Sequence, residues 1–257
     1  MTVSTAETAQ FDIGRVISRT TGLISRNMVP FAILSLLFAG APYFIMQIMM
    51  PMLIQGDPSM FGVVVFLGSL VSLVGGMVLQ GALTRASIDD LSGAGVNISV
   101  ALSAALAVLL PMIGLGILMA LGIALGMILL VIPGIYLALC WAVSAPVLVV
   151  ERLGIIPSLQ RSAALTQNHR WPILGLVVLF VVIVLIINMI VGFLIPGGAT
   201  ALMGLPGGDT PYVAFIILTA VQVFTSMIAT AGGASIYFEL RQVKDGLGVS
   251  DLAKVFA

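Results

Sequence analysis

ILGLVVLFVVIVLIINMIVGFLI, residues Ile173–Ile195, decides the fold. The stretch holds no charged side chain and a single amide, Asn188. As a helix it runs about 35 Å at ~1.5 Å per residue. That is enough to cross a hydrocarbon core of about 30 Å with some tilt. Five more apolar stretches follow the same reading: Met28–Leu53, Met60–Leu83, Leu110–Ile132, Ile135–Val150 and Tyr212–Phe238. Only Ile135–Val150, with 16 residues, is short. It gains length if it starts at Pro133, because proline fits the first helical turn.

The composition agrees. The chain is 257 residues long, 60% hydrophobic and 8% charged, with a mean hydropathy of +1.24. A soluble domain is about 25% charged, so a water-soluble fold and a disordered chain are both excluded. One cysteine, Cys140, and one histidine, His169, exclude an internal disulfide and a His/Cys metal cluster. Ten Lys+Arg balance ten Asp+Glu, which leaves no footprint for nucleic acid. Residues 1–12 carry Glu7 and Asp12 but neither a basic region nor an apolar run, so no secretory signal is expected there.

Charge placement gives the orientation. Arg15, Arg19, Arg26, Arg85, Arg152, Arg161, Arg170, Arg241, Lys244 and Lys254 are all the basic residues of the chain. All fall before span 1, between spans 2 and 3, between spans 4 and 5, or after span 6. The other three connections carry only Asp57 and Asp209. The positive-inside rule then places both termini in the cytoplasm. The chain divides into a cytoplasmic N-terminus with an amphipathic helix (1–27), a six-span membrane domain (28–239) and a cytoplasmic tail (240–257). The fold class is an all-α integral membrane protein.

A short amphipathic stretch precedes each odd span: Phe11–Arg26, Ser99–Leu110 with Asn97 or Ser99 as cap, and Pro157–His169. A proline follows each, at Pro30, Pro111 and Pro172. The first and third units align without gaps, Arg19 with Arg161, Leu23 with Leu165, Pro30 with Pro172, and Phe38 with Phe180. This suggests a threefold repeat of amphipathic helix plus transmembrane hairpin. Such helices are expected in the headgroup layer, where arginine meets anionic lipid. Arg152, Arg161, His169 and Arg170 are the candidate headgroup contacts, and Trp171 suits an interfacial anchor.

No Asp, Glu, Lys, Arg or His falls within the six stretches, which argues against a proton-coupled pump or voltage sensor. The polar residues that remain suit helix–helix hydrogen bonding. Gln80, Asn188, Gln222, Thr225 and Ser226 form the candidate intramembrane polar cluster. Gly68, Ser72 and Gly76 recur at packing spacing, as do Gly122 with Gly126 and Ala229 with Gly233. Pro133-Gly134 reads as the tight outer turn between spans 3 and 4. Pro42, Pro51 and Pro146 mark kinks. No phosphate loop or nucleophile elbow is present, so no catalytic, cofactor-binding or metal-ligating residue is expected.

Three pieces carry a family resemblance: Phe11-Asp12-Ile13-Gly14-Arg15-Val16-Ile17-Ser18-Arg19; Val131-Ile132-Pro133-Gly134-Ile135-Tyr136-Leu137 with Pro146–Glu151, Leu159-Gln160-Arg161-Ser162, Thr166 and His169-Arg170-Trp171; and Tyr237-Phe238-Glu239-Leu240-Arg241. Together they resemble the bacterial membrane domain attached to some glycerophosphodiester phosphodiesterases, and stand-alone inner-membrane proteins like it. In the fused proteins the hydrolase chemistry belongs to a separate soluble barrel. The resemblance therefore implies an inner-membrane location but no catalytic activity for these spans. The chain departs from the pattern at Cys140, where arginine or a similar residue is common.

The expectation is a non-enzymatic scaffold or accessory protein in envelope homeostasis. Its partners are membrane lipids, with a protein partner or a second copy also in view. A permease for a lipid or amphipathic compound is the alternative, and it requires a cavity lined by the polar cluster. A headgroup enzyme is the third reading, and it requires Glu151, Arg161 and His169 to converge.

Overall fold

The computed structural model describes residues 11–55, 58–194 and 212–246, with side chains for 11–50, 60–194 and 213–246. Asp57, Asp209 and Lys254 lie outside the described residues, as do 1–10 and 247–257 of the two terminal segments. All regular structure among the described residues is helical. Among the described residues six helices are long and apolar enough to cross a membrane, which makes this an all-α, multi-pass membrane protein.

The chain opens with α1 (Ile13–Arg26), capped by the Asp12 carboxylate, which accepts from the Gly14 N–H at 2.7 Å. Span 1 consists of α2 (Met28–Ser35), a π-helical turn (Leu36–Gly40) and α3 (Ala41–Gln55). Span 2 is α4 (Pro58–Leu91). The short α5 (Ile98–Ala107), capped by Asn97, leads into α6 (Leu109–Leu129). Span 4 is divided into α7 (Val131–Cys140) and α8 (Ser144–Glu151). A further short helix, α9 (Ile155–Thr166), precedes α10 (Arg170–Leu194), and α11 (Tyr212–Asp245) follows. The order of short helix then hairpin thus occurs three times.

Proline explains where many of these helices begin. Pro30, Pro111, Pro133, Pro146, Pro157 and Pro172 each stand third in their helix. The first-turn N–H groups have no intrahelical acceptor, so proline loses nothing there, and its fixed φ already suits the helix. This corrects the reading of Pro133-Gly134 as a turn. The reversal is made by Leu130 alone, in extended backbone (φ −164, ψ 143). Gly134 sits inside α7, where a Cβ on Gly126 would lie 2.9 Å from its Cα. It is a crossing point between α6 and α7.

Two helices outrun the bilayer. α4 and α11 have 34 residues each, about 51 Å at ~1.5 Å per residue. Their C-terminal turns carry Arg85, Asp89 and Asp90, and Glu239, Arg241 and Asp245. Against these turns pack the shorter helices. Ile24, Phe31, Leu83, Ala101 and Ala105 are buried in one cluster with Met227 and Ala231 of α11. Val143, Val147, Leu165 and Ile173 are buried with Ile88, Tyr237 and Leu240 in a second.

The inner faces of the short helices are therefore largely covered by protein. Val16, Thr20 and Leu23 of α1 and Ser162, Leu165 and Thr166 of α9 are buried. α5 carries no charge, and Ala105 packs where a Cβ on Gly81 would stand 3.0 Å away. Burial against α4 and α11 removes the same apolar surface that lipid would otherwise cover.

Candidate functional site

The arginine-bearing end is a connected ionic layer. Glu239 is fully buried on α11. Its Oε1 accepts from Arg15 Nε at 2.9 Å and Nη2 at 2.6 Å, and its Oε2 accepts from Arg19 Nη1 at 2.5 Å. Arg19 also donates to Gln242 Oε1 at 2.7 Å and stands over the Phe238 ring at 4.9 Å. The hydrogen bond from Arg15 to Glu239 holds its pKa above the ordinary arginine value. A buried carboxylate is stable only when paired and hydrogen-bonded, so Glu239 is the point at which α1 docks on α11.

A second centre lies between α8, α9 and α11. Glu151 accepts from Arg161 Nε at 3.2 Å and from the Tyr237 hydroxyl at 2.9 Å. Arg161 Nη2 donates to Asp245 at 2.5 Å, and Arg241 Nε reaches the same carboxylate at 3.3 Å. Burial disfavours the Arg161 charge, but its bonds and attraction to Asp245 and Glu151 outweigh that and raise its pKa. Two more pairs complete the layer, Arg26 with Asp90 at 2.6 Å and Arg85 with Asp89 at 3.1 Å.

The candidate headgroup residues separate on this geometry. Arg161 is committed to two carboxylates. Arg170 hydrogen-bonds the Tyr136 hydroxyl and stands over that ring at 4.4 Å. His169 packs beside Phe11, ring centroids 5.9 Å apart, with Nδ1 3.2 Å from the Gln167 carbonyl. Among the described residues it makes no hydrogen bond to Glu151 or Arg161, so the three groups named for a headgroup enzyme are not brought together. Arg152 is exposed, in left-handed backbone (φ 50) at the end of α8, with no ion-pair partner among the described residues. Lys244 is exposed likewise.

Ser162 and Thr166 of α9 hold the break in span 4. Ser162 Oγ donates to the Cys140 carbonyl at 2.8 Å and accepts from the Val143 N–H at 3.3 Å. Thr166 Oγ1 lies 3.3 Å from the same carbonyl. The break over Trp141–Val143 precedes Pro146, which cannot donate to a carbonyl four residues back.

Within the membrane a groove of about 400 Å³ lies between span 1, α4 and α11. α4 contributes Ser72, Gly76 and Gln80; α11 contributes Gln222, Ser226 and Thr230. Phe38 and Tyr43 close it on the span 1 side. Gln80, Gln222 and Ser226 of the sequence cluster thus come together. Asn188 and Thr225 do not line it. Asn188 instead donates to the Val184 carbonyl of its own helix at 2.8 Å.

The groove has a local cause. Pro42 has no N–H for the Phe38 carbonyl, and the π-helical turn falls there. Gly75 lets α4 approach that carbonyl, since a Cβ would stand 2.6 Å from the Phe38 oxygen. One residue on, a Cβ at Gly76 would meet nothing within 4 Å. Of the small residues read as packing positions, Gly68, Gly122 and Gly126 make close approaches, to Met46, Trp141 and Gly134, while Gly76 and Gly233 face open space; Gly75 and Gly40, not read so, make close approaches as well.

A family model described as the membrane domain of glycerophosphoryl diester phosphodiesterase matches residues 117–245, half of the chain. The match covers the α8–α9–α11 centre and leaves out Phe11–Arg19. No curated protein and no solved structure matches the chain.

Proposed function

We propose a non-enzymatic role for this chain, which belongs to the family of the membrane domain of glycerophosphoryl diester phosphodiesterase: it acts as a lipid-associated accessory or scaffold protein of the bacterial inner membrane. Its arginine-bearing end faces the cytoplasm, with both termini on that side, as the confinement of every basic residue to one side supports. The observation that carries the reading is the division of labour among the charges there. Arg15, Arg19, Arg26 and Arg161 are bound to carboxylates that tie α1 and α9 to α4 and α11, while Arg85 and Arg241 pair with carboxylates one turn on in their own helices. Arg152 and Lys244 are left to the surface, where the anionic leaflet is the nearest counter-charge.

Each such cation contributes about 1 kcal/mol at an anionic surface. Together they give about 2 kcal/mol, a preference of about 30-fold for anionic over zwitterionic lipid. The test is reconstitution into nanodiscs of phosphatidylcholine with a minority of phosphatidylglycerol, followed by progressive delipidation. The last lipids retained are expected to be phosphatidylglycerol, and Arg152→Asn with Lys244→Gln should abolish that enrichment. Asparagine tolerates the left-handed backbone at position 152. Equal enrichment in the double variant would overturn the reading. For sidedness, a thiol at the exposed Ser25, as Ser25→Cys, should react with an impermeant maleimide only after cell lysis.

A further inference from the structure

The groove between span 1, α4 and α11 is lined by two amides that the protein does not satisfy. Neither the Gln80 nor the Gln222 amide has a hydrogen-bond partner among the described residues, and both line the groove. Gln222 lies about 25 Å along α11 from Glu239, and Gln80 about 8 Å along α4 from Arg85, at ~1.5 Å per residue. Gln222 is therefore well within the hydrocarbon layer, where no water is present to bond it, and Gln80, exposed on α4, lies nearer the ionic layer. Unpaired amides at that depth are costly, and neighbouring helices normally supply the partner. Here the helices stand apart instead, held by the π-helical turn and the Gly75 contact on one side of the groove.

The walls specify the missing partner. Phe38, Met46, Leu79 and Ala229 supply apolar surface, while Ser72 and the two amides supply donors and acceptors. Among the described residues no charged side chain lines the groove. An ionised phosphate at this depth would have no counter-charge, and it would be held at the surface by the ionic layer described above. A carboxamide donates two hydrogen bonds and accepts through its oxygen, which matches ester carbonyls and a free hydroxyl. A volume of about 400 Å³ falls in the range of ligand pockets, ~300–1,000 Å³.

We propose that this groove is a binding site for an uncharged acylglycerol-type lipid, its acyl chain against Phe38, Met46 and Leu79 and its ester and hydroxyl groups on Gln80 and Gln222. The site is reached from within the bilayer and needs no path through the charged end. It is independent of whether Arg152 and Lys244 select anionic lipid.

The test uses the full chain in phosphatidylcholine vesicles containing a photoactivatable diazirine dioleoylglycerol, with the crosslinked residues mapped by mass spectrometry. Labelling is expected on groove residues of α4 and α11. It should be displaced by excess dioleoylglycerol and not by phosphatidylglycerol. Gly76→Phe places a ring in open space and should reduce groove labelling at least tenfold. Gln80→Leu with Gln222→Leu keeps the shape and removes the hydrogen bonds, so a diazirine fatty-acid methyl ester should then compete as well as dioleoylglycerol. Should Gly76→Phe fail to fold, the double leucine variant decides alone. Displacement by phosphatidylglycerol to the same extent, labelling unchanged in both variants, or a groove closed by a second copy and silent to the probe would each overturn the proposal.

Discussion

Glu239→Gln removes one charge and almost no volume. In the native chain this carboxylate, its side chain 1% exposed, takes three guanidinium bonds from Arg15 and Arg19. It also takes the Asp12 N–H at 3.3 Å. A glutamine keeps one acceptor oxygen and presents an NH₂ toward a guanidinium. Breaking a fully buried pair costs about 3–5 kcal/mol. Arg15 is 47% exposed and Arg19 21%, so water recovers part of the loss and about 2 kcal/mol is the expected cost. The loss falls on α1, because its docking depends on this residue while α11 remains set in the membrane. Local opening of α1 should rise about 30-fold. Hydrogen exchange in nanodiscs reads this directly: Val16–Ile24 should lose protection by that factor and Ile155–Thr166 should not. Arg19→Ala should reproduce most of the effect, since Arg19 also holds Gln242 and covers Phe238. Arg15→Ala should cost less. Unchanged exchange in α1, or equal loss in α9, would refute the reasoning.

Gly75→Ala forces a Cβ onto the Phe38 carbonyl at 2.6 Å and should cost about 1–3 kcal/mol, while Gly76→Ala should be neutral in the same thermal assay. Gly134→Ala meets the Met127 backbone N at 2.8 Å and should separate α6 from α7, read as increased crosslinking distance between cysteines placed on the two helices. Ser162→Ala deprives the Cys140 carbonyl and the Val143 N–H of a shared hydroxyl and should cost about 1–2 kcal/mol; Ser162→Thr should restore part of it. The pKa of Arg161 is raised in the folded state, so the stability it contributes is complete below the ordinary arginine pKa and is lost only as pH rises through the folded one. Thermal stability should accordingly show no step between neutral and mildly alkaline pH from the Arg161 centre.

The spans were legible because lipid leaves one option, a long apolar helix with its backbone bonds internal. Prolines marked helix starts, and six of them stand at one position of the first turn. Pro133 was read both as the first turn of span 4, where it stands, and with Gly134 as a tight turn, because the same residue type serves turns and helix N-termini and nothing in Pro133-Gly134 separates the two uses. The reversal at Leu130 has no composition signal. The extension of α4 and α11 past the bilayer was hidden by ending each span at the first charge, although Glu239 and Arg241 continue the same helix. Arg85 with Asp89 and Arg241 with Asp245 stand at i,i+4 helical spacing, but the ionic partners between helices were not legible. Arg15 and Glu239 are 224 positions apart, and no spacing rule links them. In the groove, Gln80, Gln222 and Ser226 were found as polar residues in apolar runs. The π-helical turn that opens space beside them arises from Pro42 acting on Phe38, which a hydropathy reading passes over.

The division between structural and surface charges is tested most directly by native mass spectrometry of the protein released from its own membrane in minimal detergent, which reads bound lipid and subunit count together. Retained anionic phospholipid that is lost in the Arg152→Asn, Lys244→Gln variant is the expected result. Arg161→Ala should loosen α9 through Glu151 and Asp245 and leave that lipid in place. A protein that carries only the bulk lipid mixture, or whose anionic lipid leaves with Arg161 and stays without Arg152 and Lys244, would contradict the assignment.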